Sequence, residues 1–204
     1  MREYPKINTL FKRDMTSPRK GIIEGDWAEP AFEYLSGNQW DFTEKVDGTN
    51  IRVSAVDGML DIGGRTDNAS IPAPLYARLQ ERFASRADDI TRMGVTLYGE
   101  GYGGKIQSGG NYAPTQDFVL FDVLVGQWWL NRAAVADIGK TLDVPVVPSI
   151  GQGTLFDAIA LVKAGLKSRW GDFIAEGIVA RPVVGLLHRD GSPILAKIKH
   201  KDFL

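Results

Sequence analysis

The strongest constraint on the fold is the period-two alternation of apolar and polar residues between positions 40 and 64. The alternation runs through residues 40–44 and 51–55, and it stops at Asp57-Gly58 before it returns over residues 60–64. An Asp-Gly pair between two alternating runs is a strong signal for a tight β-hairpin. We therefore predict three strands here, the last two of which form an antiparallel hairpin.

Helices are predicted where apolar residues recur at helical spacing. Residues 73–90 show such a pattern, and residues 133–140 and 155–164 show two more. The last of these segments is preceded by Thr154, with Asp157 three residues later, which is the spacing of a capping box. We predict an amphipathic helix over each of the three segments.

Branched apolar runs at residues 95–99 and 118–124 are typical of buried strands. The C-terminal residues 177–201 read as two further strands joined near residues 189–192. Strands paired in hairpins, with helices between them, indicate an α+β fold rather than a parallel α/β sheet. We predict a strand-rich α+β domain of antiparallel sheets flanked by helices.

Composition excludes several functional classes. The chain has 204 residues, of which 44% are hydrophobic and 24% charged, and it has no cysteine. Disulfides, thiolate zinc sites and cysteine nucleophiles are thereby excluded, and a reducing compartment is favoured. The N-terminal residues contain no long apolar run, so we expect a cytoplasmic protein without a membrane span. The net charge of −1 means that any contact with nucleic acid depends on a local patch.

A glycine-rich segment, GEGYGGK at residues 99–105, resembles two phosphate-binding motifs. Both motifs need a helix directly after the glycines, because its N-terminal N–H groups bind the phosphate. The segment that follows, IQSGGNY, has no apolar helical stripe, and Ile106 stands where the P-loop needs Ser or Thr. We reject both motifs and predict a strand that ends in a flexible glycine-rich turn.

Lys45 lies between Glu44 and Asp47 in the segment FTEKVDGTNIRV, directly before an Asp-Gly pair. A free lysine has a pKa of about 10.4, so it is almost wholly ammonium at neutral pH and has no electron pair with which to attack. Burial or nearby positive charge can favour the neutral amine. Two further lysines, Lys197 and Lys199, lie on one face of a predicted strand, because residues two positions apart on a strand share a face.

Five segments of the sequence occur in the following order along the chain: EKVDGTN (44–50), LYGEGYGG (97–104), DFVLFDV (117–123), AEGIVARP (175–182) and AKIKHKDF (196–203). Together they resemble the covalent nucleotidyltransferases, which include ATP-dependent polynucleotide ligases and mRNA capping enzymes. The likeness is greatest to the RNA ligases that seal nicks in duplexes, because YPKINTLFKRD near the start and the KIKHKDF ending are similar to that branch.

The resemblance implies a ligase-type nucleotidyltransferase (adenylation) domain. Its lysine attacks the α-phosphate of ATP, forms lysyl-N-AMP and releases pyrophosphate. AMP then passes to an RNA 5′-phosphate, and a 3′-hydroxyl displaces it to form a 3′-5′ phosphodiester. ATP as the AMP donor, Mg²⁺ or Mn²⁺, and RNA as a nicked duplex or as ends are the implied partners, with strands that contain DNA as a further substrate.

The resemblance also implies roles for individual residues. Lys45 is the nucleophile, with Lys197 and Lys199 as catalytic and triphosphate-binding cations. Glu176 is the metal ligand and a nucleotide-binding carboxylate. The other predicted nucleotide-binding residues are Glu44 at the adenine edge, Phe118 stacked on the base, Glu100 on the ribose hydroxyls, Arg65 on ribose or phosphate, and Asp47 and Asn50 around the pocket.

The sequence departs from its relatives after the last segment, where they carry an OB-fold or a helical module. We therefore expect a single nucleotidyltransferase domain over residues 1–204, with no such C-terminal domain. The basic residues Lys12, Arg13, Arg19 and Lys20 are candidates for part of the grip on RNA. Two alternatives are a minimal ATP-dependent DNA ligase and a non-catalytic nucleotide- or RNA-binding module of the same fold; GTP as the donor is less supported.

Overall fold

The structure is a computed structural model that describes residues 1–18 and 20–204. It contains twelve strands and five α-helices among these residues. In chain order they are β1 (Asn8–Thr9), β2 (Phe11–Arg13), β3 (Ile22–Trp27), α1 (Pro30–Tyr34), β4 (Trp40–Glu44), β5 (Thr49–Val56), β6 (Met59–Gly64), α2 (Ala73–Ala84), α3 (Ala87–Met93), β7 (Val95–Tyr102), β8 (Asp117–Val125), β9 (Trp128–Trp129), α4 (Arg132–Leu142), β10 (Ser149–Gly153), α5 (Leu155–Lys163), β11 (Gly177–Pro182) and β12 (Ala196–Lys199).

The chain divides into two compact units. The central unit comprises Met1–Tyr4 and Asp47–Val147, and the flanking unit comprises Pro5–Val46 and Pro148–Leu204. The boundary after Val46 falls inside the segment EKVDGTN, so Glu44 and Lys45 belong to the flanking unit and Asp47 and Asn50 to the central one.

The flanking unit is built on a five-stranded sheet in the order β1-β12-β11-β4-β10. β1 is parallel to β12, and the other pairs are antiparallel. β2 and β3 form a separate two-stranded sheet. The sheet buries one face in a core that includes Trp40 and Phe42 of β4 and Ile178 of β11, against which α5 packs.

α5 begins with the predicted capping box. The Thr154 hydroxyl accepts a hydrogen bond from the Asp157 N–H at 3.2 Å, and the Asp157 carboxylate accepts one from the Thr154 N–H at 2.8 Å. Two N–H groups at the start of the helix are thereby satisfied by local residues. This explains why the sequence pattern located the helix correctly.

The central unit is built on an antiparallel sheet in the order β6-β5-β7-β8-β9. The predicted hairpin of β5 and β6 turns at Asp57-Gly58, as expected. β7 continues to Tyr102, and a single 3-10 turn (Gly109–Asn111) separates it from β8. An antiparallel strand, rather than an α-helix, therefore follows the glycines, which confirms the rejection of the Rossmann and P-loop motifs.

The prediction of one helix over residues 73–90 is wrong in one respect, because the structure has two helices there, α2 and α3. The Arg86 N–H bonds to the Phe83 carbonyl at 2.9 Å, which closes a tight turn after α2, and the Arg86 carbonyl then starts α3 by accepting from Ile90. Neither Gly nor Pro stands at this point, so the sequence contains no breaker there. Leu75, Leu79 and Ile90 still face the same core.

The other elements that were predicted lie within a few residues of their expected positions. α4 and α5 lie where helices were predicted, and the strands predicted within 177–201 are β11 and β12, paired antiparallel. Among the residues that the structure describes, no helix combines the length and the apolar content that crossing a bilayer requires.

Candidate active site

Lys45 lies just beyond the end of β4 in the flanking unit, and its backbone extends the sheet. Its N–H donates to the Gly177 carbonyl at 2.9 Å, which continues the pairing of β4 with β11. Glu44 is paired with Ile178 on the core face, so alternation turns Lys45 to the opposite face. The same alternation puts Lys197 and Lys199 of β12 on the face that Lys45 occupies.

Glu176 lies between two of these lysines. The Lys45 Nζ is 2.7 Å from the Glu176 Oε2, and the Lys199 Nζ is 2.6 Å from the Oε1. The side chains of Lys45, Glu176 and Lys199 are only 20%, 13% and 18% exposed, respectively. The main chain holds Glu176 in place, because its carbonyl accepts from the His200 N–H at 2.9 Å. One carboxylate thus organises the predicted nucleophile and a predicted phosphate-binding cation.

Lys197 completes a cluster of cations on this face. The pKa of Lys197 is lowered from its usual value, first by burial and then by the positive charge of its neighbours. Those neighbours are Lys199, Lys45, Arg13 and Lys6. A group of cations that repel each other in a half-buried place is a site at which an anion such as a triphosphate is favoured.

Glu44 does not lie where its predicted contact with adenine requires. Its side chain is 1% exposed and points to the core face, away from Lys45. Its carboxylate accepts from the Ser168 hydroxyl and, at 2.8 Å, from the Arg169 N–H. A base that reached Glu44 would have to displace these bonds, so we correct the prediction: Glu44 anchors a loop of the flanking unit. Ser168 was missed because nothing in the sequence links it to Glu44.

In the central unit, Asn50 and Glu100 lie opposite each other on β5 and β7. Directly opposite residues of antiparallel strands project to the same face, so the two predicted nucleotide-binding side chains are neighbours. The Oδ1 of Asn50 is buried and has no hydrogen bond from the described residues. A buried acceptor without a donor is costly unless a ligand or water supplies one, which makes this face a candidate binding surface.

Asp47 begins the central unit and holds the glycine-rich turn in place. Its N–H donates to the Tyr112 hydroxyl at 3.1 Å, and its Oδ2 accepts from the Ser108 N–H at 3.3 Å. Tyr112 was not among the predicted site residues. The structure therefore gives Asp47 a structural contact in addition to its predicted role at the pocket.

Phe118 does not lie on the face of Glu100, and the prediction that it stacks on a base is corrected. Glu100 is paired with Val119, whereas Phe118 is paired with Gly101 on the other face of the sheet. The Phe118 ring has no exposed surface and packs edge-on against Phe83, with centroids 5.4 Å apart. A ring with no exposed surface does not present a face to adenine.

Arg65 directly follows β6 and is exposed, so it remains available for its predicted contact. Its position depends on Arg52, which sequence reasoning missed. Arg52 is 1% exposed, and its Nε donates to the Gly64 carbonyl at 2.6 Å while its guanidinium pairs with Asp67 at 2.8 Å. Arg52 thus fixes both sides of the turn that carries Arg65.

Two of the four basic residues near the N-terminus, Lys12 and Arg13, are paired with carboxylates. Lys12 pairs with Asp26 at 2.7 Å, and Arg13 donates to both carboxylate oxygens of Asp202 at 2.7 and 2.8 Å. The Lys20 carbonyl accepts from Arg13, and Arg19 lies outside the described residues. A grip on RNA by these residues therefore stays a prediction, which the ion pairs of Lys12 and Arg13 do not favour.

Gly48, in the segment EKVDGTN, allows the chain to approach β7 closely. A Cβ at this position would lie 2.2 Å from the Gly101 carbonyl oxygen and 2.9 Å from the Glu100 Cγ. We expect Gly48→Ala to lower the free energy of unfolding by about 2 kcal/mol, because backbone must move to relieve the overlap. Urea unfolding would measure it, with Gly37→Ala as the control, since a Cβ there meets nothing within 4 Å. Equal losses in both variants would contradict the steric explanation.

The donor set for a metal ion is small. Within the described part of the chain, no three His, Asp or Glu side chains are grouped so that they could hold an ion. Glu176 fits such an ion, since its buried Oε2 contacts Lys45 without a hydrogen bond of good geometry. Mg²⁺ is commonly held by one or two carboxylates together with substrate phosphates and waters. The site fits a cation that binds together with a nucleotide.

Comparison with known proteins places these units in a family. The family model described as RNA ligase matches residues 38–199, which is most of the chain. No curated protein matches the sequence.

Solved structures of a Naegleria gruberi RNA ligase are similar in fold. A mutant with ATP and Mn has a TM-score of 0.67 at 21% identity, and the match covers 83% of this chain and 52% of the ligase chain. The structure with PPi has a TM-score of 0.68 at 21% identity, with coverage of 98% and 62%. An apo mutant has a TM-score of 0.69 at 19% identity, with coverage of 98% and 58%. The chain thus spans about half to three fifths of these ligases, and the predicted ligase-type α+β fold is confirmed.

Proposed function

The chain belongs to the RNA ligase family, and on that premise we propose that it is an ATP-dependent RNA ligase whose nucleophile is Lys45. The observation that carries the proposal is the Glu176 carboxylate held between Lys45 and Lys199, at 2.7 and 2.6 Å, with Lys197 on the same sheet face. An amine, a carboxylate and two further cations are the groups that nucleotidyl transfer to lysine needs.

In the first step, Lys45 loses its ammonium proton and its Nζ electron pair forms a bond to the α-phosphorus of ATP. The bond from that phosphorus to pyrophosphate breaks, and loss of the second proton leaves lysyl-N-AMP. The ion pair with Glu176 requires a protonated Lys45, so the reaction must release it from this partner. A divalent cation, Mg²⁺ or Mn²⁺, held by Glu176 and the phosphates would offset negative charge there.

Lys199 and Lys197 bind the triphosphate in this proposal. Their ammonium groups oppose the charge that develops as pyrophosphate leaves, and cations positioned in advance do this at little cost in reorganisation. The lowered pKa of Lys197 follows first from burial and then from repulsion between cations, and the negative charge of a bound polyphosphate would offset both effects.

The later steps transfer AMP to RNA. A 5′-phosphate oxygen attacks the AMP phosphorus, the P–N bond breaks and Lys45 is regenerated. A 3′-hydroxyl then attacks the 5′-phosphate, AMP leaves and a 3′-5′ phosphodiester forms. Nicked duplexes and ends are both proposed as substrates, and a cytoplasmic location suits a protein without cysteine.

The nucleotide contacts proposed for the central unit are those of Asp47, Asn50, Arg65 and Glu100. Asn50 has the strongest physical support, because its Oδ1 is a buried acceptor in need of a donor. The exposed guanidinium of Arg65 suits a phosphate or a ribose hydroxyl. The Naegleria ligase structures with ATP and Mn support ATP and a divalent metal as partners by analogy.

The proposal is tested by intact mass spectrometry of the purified protein incubated with ATP and Mg²⁺. We expect one AMP adduct, which excess pyrophosphate removes by reversing the first step. Absence of an adduct with either Mg²⁺ or Mn²⁺ would overturn the proposal and favour a non-catalytic RNA-binding module.

Substrate preference is decided by sealing assays on nicked RNA duplexes, nicked DNA and single-stranded RNA ends. The RNA ligase proposal expects sealing of RNA nicks at the highest rate. Preferential sealing of an all-DNA nick would instead establish the alternative of a minimal DNA ligase.

A further inference from the structure

A buried chain of hydrogen bonds connects the strand that leads to Lys45 with a loop of the same unit. The Trp170 N–H donates to the Ser168 hydroxyl at 3.0 Å, and that hydroxyl donates to Glu44. The second oxygen of Glu44 accepts from the Arg169 N–H at 2.8 Å. Ser168 is 9% exposed and Glu44 is 1% exposed, so little water competes for these bonds.

The loop that Glu44 binds leads directly to Glu176. Its two ends are tied together, since the Ala175 N–H donates to the Leu166 carbonyl and the Ser168 N–H to the Phe173 carbonyl, both at 2.9 Å. A bridge between Lys167 and Ile174 adds to this closure. The loop is therefore a small closed hairpin, and its C-terminal end is one residue from Glu176.

We propose that Ser168 is a positioning residue for the adenylation reaction, which rests on the proposed function. Glu44 is covalently next to Lys45, and the closed loop is covalently next to Glu176. The bond from Ser168 to Glu44 joins the two on the core face of the sheet, while Lys45 and Glu176 meet at 2.7 Å on the other. Ser168 thus sets the spacing between the Lys45 amine and the Glu176 carboxylate without touching either of them.

Loss of the hydroxyl leaves a buried carboxylate oxygen with one donor fewer. Such an oxygen is costly to leave unsatisfied, so Glu44 or the loop shifts towards water or another donor. Either shift moves Lys45 relative to Glu176. Displacements of about 1 Å at a reacting group can cost about 100-fold in rate.

The test compares Ser168→Ala with the wild type in single-turnover labelling by radioactive ATP. We expect the rate constant at saturating ATP to fall by about 10-fold or more, because the nucleophile is displaced. The ATP concentration at half-maximal rate should stay nearly unchanged, because the cations that hold the triphosphate remain. Ser168→Thr keeps the hydroxyl and should restore the rate.

Thr154→Ala is the matched control. It removes the capping hydroxyl of α5 in the same unit and does not touch Glu44. A merely structural effect lowers the fraction of protein that reacts and leaves the rate constant of the reactive fraction unchanged, as we expect for this control. The same behaviour in Ser168→Ala would overturn the inference while the proposed function stands.

A second measurement does not depend on activity. Brief acetylation followed by mass spectrometry reports how exposed each lysine amine is, with Lys140 on the surface of α4 as the reference. We expect Lys45 to react slowly in the wild type, where it is paired with Glu176, and to approach the rate of Lys140 in Ser168→Ala. Unchanged protection of Lys45 would overturn the positioning role even if the wild type formed no AMP adduct.

Discussion

Replacement of Lys45 by alanine is expected to abolish covalent attachment of AMP. The proposed reaction makes a bond from the Lys45 Nζ to phosphorus, and no neighbouring group replaces that atom. Lys199 is held at 2.6 Å from Glu176 and would have to leave its partner, while Lys197 lies two residues before Lys199 on β12. Incubation with ATP labelled at the α-phosphate, followed by denaturing electrophoresis, measures the adduct.

The controls for this prediction separate chemistry from folding and binding. Lys140→Ala removes an exposed surface lysine from the central unit and should label like the wild type. Lys45→Ala should retain its melting temperature and should still bind ATP, because the phosphate-binding cations remain. Continued labelling of Lys45→Ala would show that another residue is the nucleophile.

Replacement of Glu176 by glutamine is expected to lower the adenylation rate by about 100-fold, a loss typical for removal of one preorganised charged contact. The amide keeps the size of the side chain and loses the negative charge that is shared by Lys45 and Lys199. Without that charge the two ammonium groups repel each other, and the oxygen proposed to hold the cation becomes a weaker ligand.

The metal dependence distinguishes the two contributions of Glu176. If the carboxylate helps to hold the cation, the glutamine variant should need more Mg²⁺ or Mn²⁺ for half-maximal labelling than the wild type. Glu81→Gln, which removes an exposed carboxylate from α2, is the matched control and should change neither value. A Glu176→Gln variant with the wild-type rate and metal requirement would refute the role of this residue.

Three strands of the flanking unit, β4, β11 and β12, could be predicted from the sequence because they depend on local patterns. Residues two positions apart on a strand share a face, so Lys197 and Lys199 were placed together correctly. The capping box of α5 is also local, since both partners lie within four residues. The grouping of Lys45 with Glu176 and Lys199 came from a resemblance over five segments and not from spacing.

The contacts that sequence reasoning missed or misplaced are non-local. Phe118 fills the space over Gly99 on the neighbouring strand, where an added Cβ would lie 2.2 Å from its ring. Only the pairing of β7 with β8 brings the two residues together. The same holds for Glu44 and Ser168, which are 124 positions apart in the chain.

The sequence by itself determined strands β4 to β8, β11 and β12, the capping box of α5 and which lysines share a face, because these follow from the geometry of neighbouring residues along one chain. Tertiary structure alone decided which face of each sheet is core, and so turned Phe118 and Glu44 inward. The physical reason is that burial is a property of whatever packs against a side chain, and that partner is set by strand pairing and chain reversal far away in the sequence.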